Sequence, residues 1–384
     1  MSMESAYTAR PHGYQFINLF RAVAAVWVAF GHCMIWSGWK GFPTNPKSAV
    51  TLFMMISGFL MVENANKRLQ SEPMDSYRGR LSFYLRRYFR IAPVYYLALT
   101  ISVVFAAPLI EGALSLQSLD PSAWPRGGKY DSSHFSYSLK NIILHISFLF
   151  GLFPNWSLSS LLPDWSLSLE MQFYAVFPCI YIFTRNSHWP VLRYLLIGVM
   201  GIGGGYLAAW YADYSEPSLL FLQLHFFLAG MLLAEYFESR RKSALIAAFA
   251  LTLMDGFVHR GFAFVTVVAP LILGCMALLG QLETRRLTPK FLAHMIGSRV
   301  VSFASDVSYG VYLFHGFFIC LCGCLIARYQ SFHDLEPFSR FVFLLLVTFV
   351  GAYLCGAIVY RIVERPFIRI GKHVIASIPR QMPS

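Results

Sequence analysis

Charged residues are scarce in this chain of 384 residues. They make up 13% of it, and only 19 residues are acidic. A soluble domain carries about twice that charged fraction, so the composition excludes an ordinary water-soluble protein. Hydrophobic residues make up 57% of the chain, and they are gathered in runs of about 15 to 25 residues, the pattern of membrane-spanning helices. The composition therefore predicts an all-α polytopic membrane protein.

Cysteines in polar loops are absent, which excludes a disulfide framework. All seven cysteines lie in apolar segments: Cys33, Cys179, Cys275, Cys320, Cys322, Cys324 and Cys355. The three between 320 and 324 are spaced by two, which spreads them around a helix instead of gathering them on one face. We interpret all seven as packing residues and predict no metal site.

Eleven apolar segments are candidate spans: 16–36, 49–64, 91–110, 141–153, 165–184, 191–212, 218–237, 243–258, 262–281, 307–327 and 340–362. Basic residues cluster in the connecting regions 62–90, 238–242, 284–290 and 360–373, and such clusters are typical of cytoplasmic loops. All four clusters fall on one side of the membrane if the shortest segment, 141–153, does not cross. We therefore predict about ten spanning helices, a re-entrant or outer-face segment at 141–153, and cytoplasmic N- and C-terminal tails. The net charge of +12 then reflects loop position, and no nucleic-acid partner is expected.

The longest region expected outside is 111–164, which contains "SAWPRGGKYDSSHFSYS" and "PNWSLSSLLPDW". Its tryptophan, tyrosine, serine and asparagine side chains suit stacking on a sugar-like acceptor and hydrogen bonding to it. A polar loop with interfacial aromatic residues has the same composition, and composition alone favours that second interpretation.

Two ionisable residues lie in the first apolar segment. Arg21 and His32 are eleven residues apart, which places them on one helix face with a rise of about 16 Å between them. Separately, Arg21 is explained by snorkelling to the inner headgroups and His32 by packing against a neighbour. Together on one face they suggest an anion clamp and a proton-transfer group on one path through the membrane.

Four further groups of residues carry candidate chemistry. Arg87 and Arg90 lie one turn apart where a helix enters the membrane, either as phosphate ligands or as a positive-inside anchor. Glu170 lies within an apolar helix, one turn after Ser166, and needs a partner, for which Arg21 and His32 are candidates. The other two groups are the polar stripe Ser308, Tyr312 and His315, spaced i, i+4, i+7, and the pair Glu364 and Arg365 at the end of the last helix.

Six motifs occur here in one order: Arg21 followed by His32, "FMMISGFL" at 53–60, the pair Arg87 and Arg90, "WSLSLEMQFY" at 165–174, "SYGVYLFH" at 308–315, and "ERPF" at 364–367. In this the chain resembles the acyltransferase-3 family of bacterial membrane proteins over about residues 14–370. We expect residues 1–384 to form a single transmembrane acyltransferase domain with its core at 14–370.

The resemblance implies that an acyl group, usually acetyl, passes from cytoplasmic acyl-CoA to a hydroxyl of an envelope carbohydrate or lipid-linked glycan. It places His32, Arg21 and Glu170 in catalysis, Arg87 and Arg90 with Arg21 in acyl-CoA binding, and Trp165 and Ser57 with the polar stripe on the substrate path. Met171 departs from the family pattern, in which many members have a second acid. The resemblance also implies the bacterial inner membrane and a stand-alone membrane domain. Such a domain completes transfer itself or passes the group to a separate extracytoplasmic transferase or to polysaccharide assembly proteins.

Two roles for His32 remain open: general base on the acceptor hydroxyl, and carrier of the acyl group as a covalent intermediate. In either case Glu170 is expected to orient the imidazole or to balance its charge. A transporter or flippase for a glycan or lipid-linked substrate is the alternative function. The sequence lacks the pair of corresponding broken helices that many transporters show.

Overall fold

The computed structural model describes residues 14–120, 137–258, 264–326 and 329–379. Regular structure within these ranges is entirely helical. Its helices are α1 (Gln15–Ser37), α2 (Pro46–Lys67), α3 (Tyr77–Val104), α4 (Ala106–Gln117), α5 (Leu139–Ile146), α6 (Trp165–Arg185), α7 (Pro190–Tyr211), α8 (Leu220–Ser239), α9 (Lys242–Leu253), α10 (Asp255–Val258), α11 (Phe264–Thr284), α12 (Lys290–Ile296), α13 (Arg299–Ile326), α14 (Gln330–His333), α15 (Pro337–Val359) and α16 (Arg365–Ala376).

Eight helices in the described ranges are long and apolar enough to cross a membrane, and the number is nine if α3 and α4, bent by 80°, form one span. The predicted all-α polytopic bundle is therefore confirmed. The count differs from ten because segment 243–258 is divided between α9, of 12 residues, and α10, of four. A helix as short as α9 extends only about 18 Å, against a hydrocarbon core of about 30 Å.

Segment 141–153 forms no span, as predicted. Its helix α5 has eight residues, and two 3₁₀ turns follow at Phe150–Leu152 and Pro154–Trp156. Buried His145 in α5 lies with Nε2 3.5 Å from the carboxylate of Asp164, which also accepts a hydrogen bond from Tyr95 at 3.0 Å. Burial raises the pKa of the Asp164 carboxyl above its usual range, and the nearby His145 opposes that rise. These contacts tie the segment to the start of α6. Residues 121–136, which include most of "SAWPRGGKYDSSHFSYS", lie outside the described ranges.

Close contacts between helices fix the positions of the helices that form the walls of the candidate site. A Cβ at Gly58 of α2 would lie 2.0 Å from the carbonyl oxygen of Phe227 in α8, and one at Gly230 would lie 2.0 Å from that of Met55. The two backbones therefore touch, which only small residues permit. Phe173 of α6 stacks on Phe227 with ring centroids 4.2 Å apart. These contacts set the positions of α2 and α6, which carry "FMMISGFL" and "WSLSLEMQFY".

The last two helices are joined by a π-helical turn at Tyr360–Glu364. Such turns are frequent at functional sites. Beyond the turn, α16 packs along α3, where Gly371 faces Phe89. This packing brings Lys372 of α16 near the arginines of α3.

Candidate active site

A cavity of about 370 Å³ opens among α1, α2, α3, α6, α13 and α16, and we call it the basic cavity. Six cationic side chains line it: Arg21, Arg68, Arg86, Arg87, Arg90 and Lys372. Glu170 is the one carboxylate among its described lining residues. Such an excess of positive charge attracts a polyanion.

The predicted arginines of the basic cavity are held in different ways. The Arg87 guanidinium lies over the Tyr174 ring, 5.5 Å from its centroid. Arg90 Nη2 is 3.9 Å from Glu364 Oε1, and Arg21 Nη2 donates to Ser308 Oγ at 3.3 Å. Arg87 and Arg90 both line the basic cavity, and arginine binds anionic groups through paired N–H donors, so both are candidates to contact one anion.

Glu170 belongs to the basic cavity. It accepts hydrogen bonds from Ser57 Oγ at 2.9 Å and from the Tyr174 hydroxyl. His32 lines a different cavity, so the expected orientation of its imidazole by Glu170 is not found. The motifs at 53–60 and 165–174 are in contact with each other through the hydrogen bond from Ser57 to Glu170.

A second cavity, of about 430 Å³, contains His32 and is called the histidine cavity. Its other polar lining residues include Thr44, Asn45, Lys47, Ser160, Trp165, Glu216, Tyr312 and His315. The segment that ends in Asp164 provides its wall from Leu158 to Pro163. Trp165 and His315, both predicted on the substrate path, therefore lie in the same cavity as His32.

The two histidines form a hydrogen-bonded pair. His315 Nδ1 lies 2.6 Å from the carbonyl oxygen of Tyr312, and since a carbonyl only accepts, Nδ1 carries the hydrogen. In a neutral ring Nε2 is then an acceptor, and it lies 3.0 Å from His32 Nδ1. His32 Nδ1 must therefore donate, which leaves the lone pair of His32 on Nε2. These hydrogen positions are assigned from the bonding partners.

Tyr312 forms the boundary between the cavities, because it and Val50 line both. Its hydroxyl donates to the carbonyl oxygen of Pro163 at 2.5 Å and lies 2.7 Å from Ser166 Oγ. Because the Tyr312 hydroxyl hydrogen is used in the bond to Pro163, the Ser166 hydroxyl donates to the Tyr312 oxygen. The stripe on α13 thus runs from Ser308 in the basic cavity, through Tyr312, to His315 in the histidine cavity.

Sequence reasoning missed Arg68, Arg86 and Lys372. Each lies in a basic region that the positive-inside rule explained fully, so no signal distinguished them from anchoring residues. Arg68 donates to Asn64, and Arg86 forms an ion pair with Glu72. No group of three histidine, cysteine, aspartate or glutamate residues in the described ranges is arranged to hold a metal ion.

The model of the acyltransferase-3 family, described as an acyltransferase domain, matches residues 14–357. The chain belongs to the acyltransferase-3 family. The matched range contains every cavity-lining residue discussed above except Gly371 and Lys372, which follow it in α16. No curated protein and no solved structure matches the chain. As a member of the acyltransferase-3 family with many apolar helices, the protein is a multi-pass membrane acyltransferase.

Proposed function

We propose that the protein transfers an acyl group, acetyl in the simplest case, from acyl-CoA in the basic cavity to a carbohydrate hydroxyl in the histidine cavity. One observation carries the proposal: the two cavities meet at Tyr312, with cationic side chains on one side and the His32–His315 pair on the other. Transfer between two compartments requires such a pair of chambers with a narrow boundary.

The donor is assigned to the basic cavity by charge. The phosphates of CoA are anionic, and arginine binds phosphate through paired N–H donors. Arg87 and Arg90 of α3 would hold these phosphates. Arg21 of α1 would contact the donor farther into the membrane. The pantetheine arm would then follow Ser308 toward Tyr312. Because the end of α2 and the first half of α3 are basic, this end of the bundle would face the cytoplasm.

The acceptor is assigned to the histidine cavity. His32 Nε2 would remove the proton of an acceptor hydroxyl, and the resulting oxygen would attack the thioester carbonyl. Collapse of the tetrahedral intermediate would break the C–S bond and release the CoA thiolate, which takes the proton back from the imidazolium. His315 would be a positioning residue that fixes the tautomer of His32 and stabilises its protonated form.

The test uses purified protein in liposomes, labelled acetyl-CoA and envelope glycan from cells that lack the gene. His32→Ala should abolish labelling of the glycan. Replacement of the exposed, distant His188 with alanine is the matched control and should leave labelling unchanged. Near-normal labelling by His32→Ala would overturn the mechanism. Label on the protein itself that neutral hydroxylamine and acid both release, and that is lost in His32→Ala, would favour an acyl-histidine intermediate over the base role.

The donor site is tested by direct titration with acetyl-CoA. Arg87→Gln should weaken binding by about tenfold or more, the contribution of one charge-assisted hydrogen bond. The matched control is Arg285→Gln, because Arg285 is exposed and lines neither cavity. If Arg87→Gln and the unaltered protein bind acetyl-CoA equally well, Arg87 does not bind the donor and only anchors α3 at the membrane surface. Release of CoA thiol without any ion gradient would distinguish this enzyme from a transporter or flippase.

A further inference from the structure

A third cavity, of about 370 Å³, lies beside the histidine cavity, and we call it the side cavity. The two cavities share three lining residues, Asn45, Lys47 and Trp165. These residues form the partition between them. A ligand in the histidine cavity therefore needs to pass only this partition to continue into the side cavity.

The partition is polar, and its lysine is partly exposed. Lys47 Nζ bridges to Glu216 at 3.1 Å; the lysine side chain is 43% exposed and the glutamate side chain 10%. Because the carboxylate is buried, a ligand that displaces the lysine must donate a hydrogen bond to Glu216 in its place, as a hydroxyl can. The Trp165 side chain, in contrast, is 9% exposed and fixed at the start of α6. A ligand would thus displace the lysine and lie against the indole.

The far wall of the side cavity carries carboxylates and an amide, from Asp213, Gln223 and Asp255. Asp255 is only 1% exposed; it accepts from Thr266 Oγ1 at 2.9 Å and lies 3.4 Å from His225 Nε2. A buried carboxylate within a membrane bundle is costly and usually serves a function. The hydrogen bond from Thr266 and the ion contact with His225 hold it in place at the cavity wall.

Charge decides which ligand this wall accepts. Lys47 is the one cationic side chain among the described residues lining the side cavity, and it is already paired with Glu216. The carboxylates of Asp213 and Asp255 would repel phosphate groups such as those of the donor. An uncharged ligand with many hydroxyls offers hydrogen-bond donors to these carboxylates and an apolar ring face to the indole.

We propose that the side cavity binds a second sugar unit of the acceptor. The acceptor is then an oligosaccharide that bends past Trp165, with the reacting unit at His32 and its neighbour at Asp213 and Gln223. This proposal rests on the proposed function, since it assumes a carbohydrate acceptor in the histidine cavity.

The experiment compares acceptors of different length. Oligosaccharides released by mild acid from the envelope of cells lacking the gene are separated into fractions of one, two and four sugar units. Each fraction is then offered to the protein with labelled acetyl-CoA. The KM for two-unit acceptors should be at least tenfold lower than for one unit, the gain expected from one or two additional hydrogen bonds.

Two variants locate the effect. Ala209→Phe fills the side cavity, and Asp213→Asn removes an exposed carboxylate from its wall. Both should raise the KM for two units toward that for one unit and leave the KM values for one unit and for acetyl-CoA unchanged. The matched controls are Ala208→Phe, on the same helix but outside the cavity lining, and Asp120→Asn, whose carboxylate pairs with Lys40.

Equal KM values for one- and two-unit acceptors with the unaltered protein would overturn the proposal. Equal effects of Ala209→Phe and Ala208→Phe, together with no effect of Asp213→Asn, would also overturn it. A complete lack of labelling in every fraction would instead be a failure of the proposed function.

Discussion

The hydrogen bond between the two histidines provides the sharpest test of the catalytic geometry. His315 is 1% exposed, and its Nε2 accepts from His32 Nδ1 at 3.0 Å. His315→Phe keeps an aromatic ring in this space but removes the acceptor. The Nδ1 hydrogen of His32 then loses this acceptor and keeps only a backbone contact with Val28, so His315 no longer fixes the tautomer of the imidazole.

The size of the effect follows from that loss. A hydrogen bond to a charged group contributes about 1.5–3 kcal/mol. Because the His32 ring gains a positive charge in the transition state, loss of this bond slows transfer by roughly 10- to 150-fold. The loss should appear in kcat, because His315 lies outside the basic cavity, and the KM for acyl-CoA should change little.

The assay measures kcat and KM for both substrates, and thermal unfolding checks that the variants fold. His315→Gln provides the rescue, since its amide oxygen can accept from His32 Nδ1. It should be at least fivefold faster than His315→Phe. If His315→Phe keeps more than half of the original kcat, or if the glutamine variant is no faster, the tautomer argument is refuted.

Three further changes test other parts of the structure. Gly58→Ala places a Cβ 2.0 Å from a backbone carbonyl oxygen of α8, so it should lower the thermal midpoint in detergent through an overpacking cost of about 1–3 kcal/mol. Gly203→Ala is the control, because a Cβ there meets no atom within 4 Å, and it should leave the midpoint unchanged. Equal midpoints of the two variants would contradict the close helix contact. Tyr312→Ala merges the two cavities and should speed acceptor-independent hydrolysis of acyl-CoA, followed by thiol release; an unchanged rate would mean that Tyr312 is not the barrier. Glu364→Gln removes the carboxylate 3.9 Å from Arg90 and should lower the Kd for acetyl-CoA about two- to fivefold in direct titration, while weaker binding would show that the carboxylate holds Arg90 in place.

Features that depend on local periodicity were predictable. The apolar runs gave the helical class, and the short segment 141–153 was correctly predicted not to span. On α1, Arg21 lines the basic cavity and His32 lines the histidine cavity. One stripe on α13 carries Ser308, Tyr312 and His315. Spacing along one helix fixes the relative direction of its side chains, so a single segment carries enough information. The inner membrane stays a prediction. The cytoplasmic placement of both termini also stays a prediction, and it requires an even number of crossings, so that with nine spans α9 and α10 would have to cross together as well.

Contacts between helices were not predictable. His32 and His315 are separated by 283 residues, and Glu170 and Ser57 by 113. The sequence left Arg21 and His32 as candidate partners of Glu170, because it does not give the depth or rotation of each helix in the bundle.

The sequence by itself determined a polytopic helical acyltransferase of a known family and named many of the polar side chains that line the two cavities. Only the tertiary structure decided how those side chains divide among cavities. Close packing at Gly58 and Gly230 sets the positions of α2 and α8 relative to each other, and the stacking of Phe173 on Phe227 holds α6 against α8. That packing places Glu170 in the basic cavity with the arginines, and His32 in the histidine cavity in contact with His315. The physical reason is that a helix period fixes angles within one helix, whereas the side chains that meet across helices are set by close packing throughout the bundle.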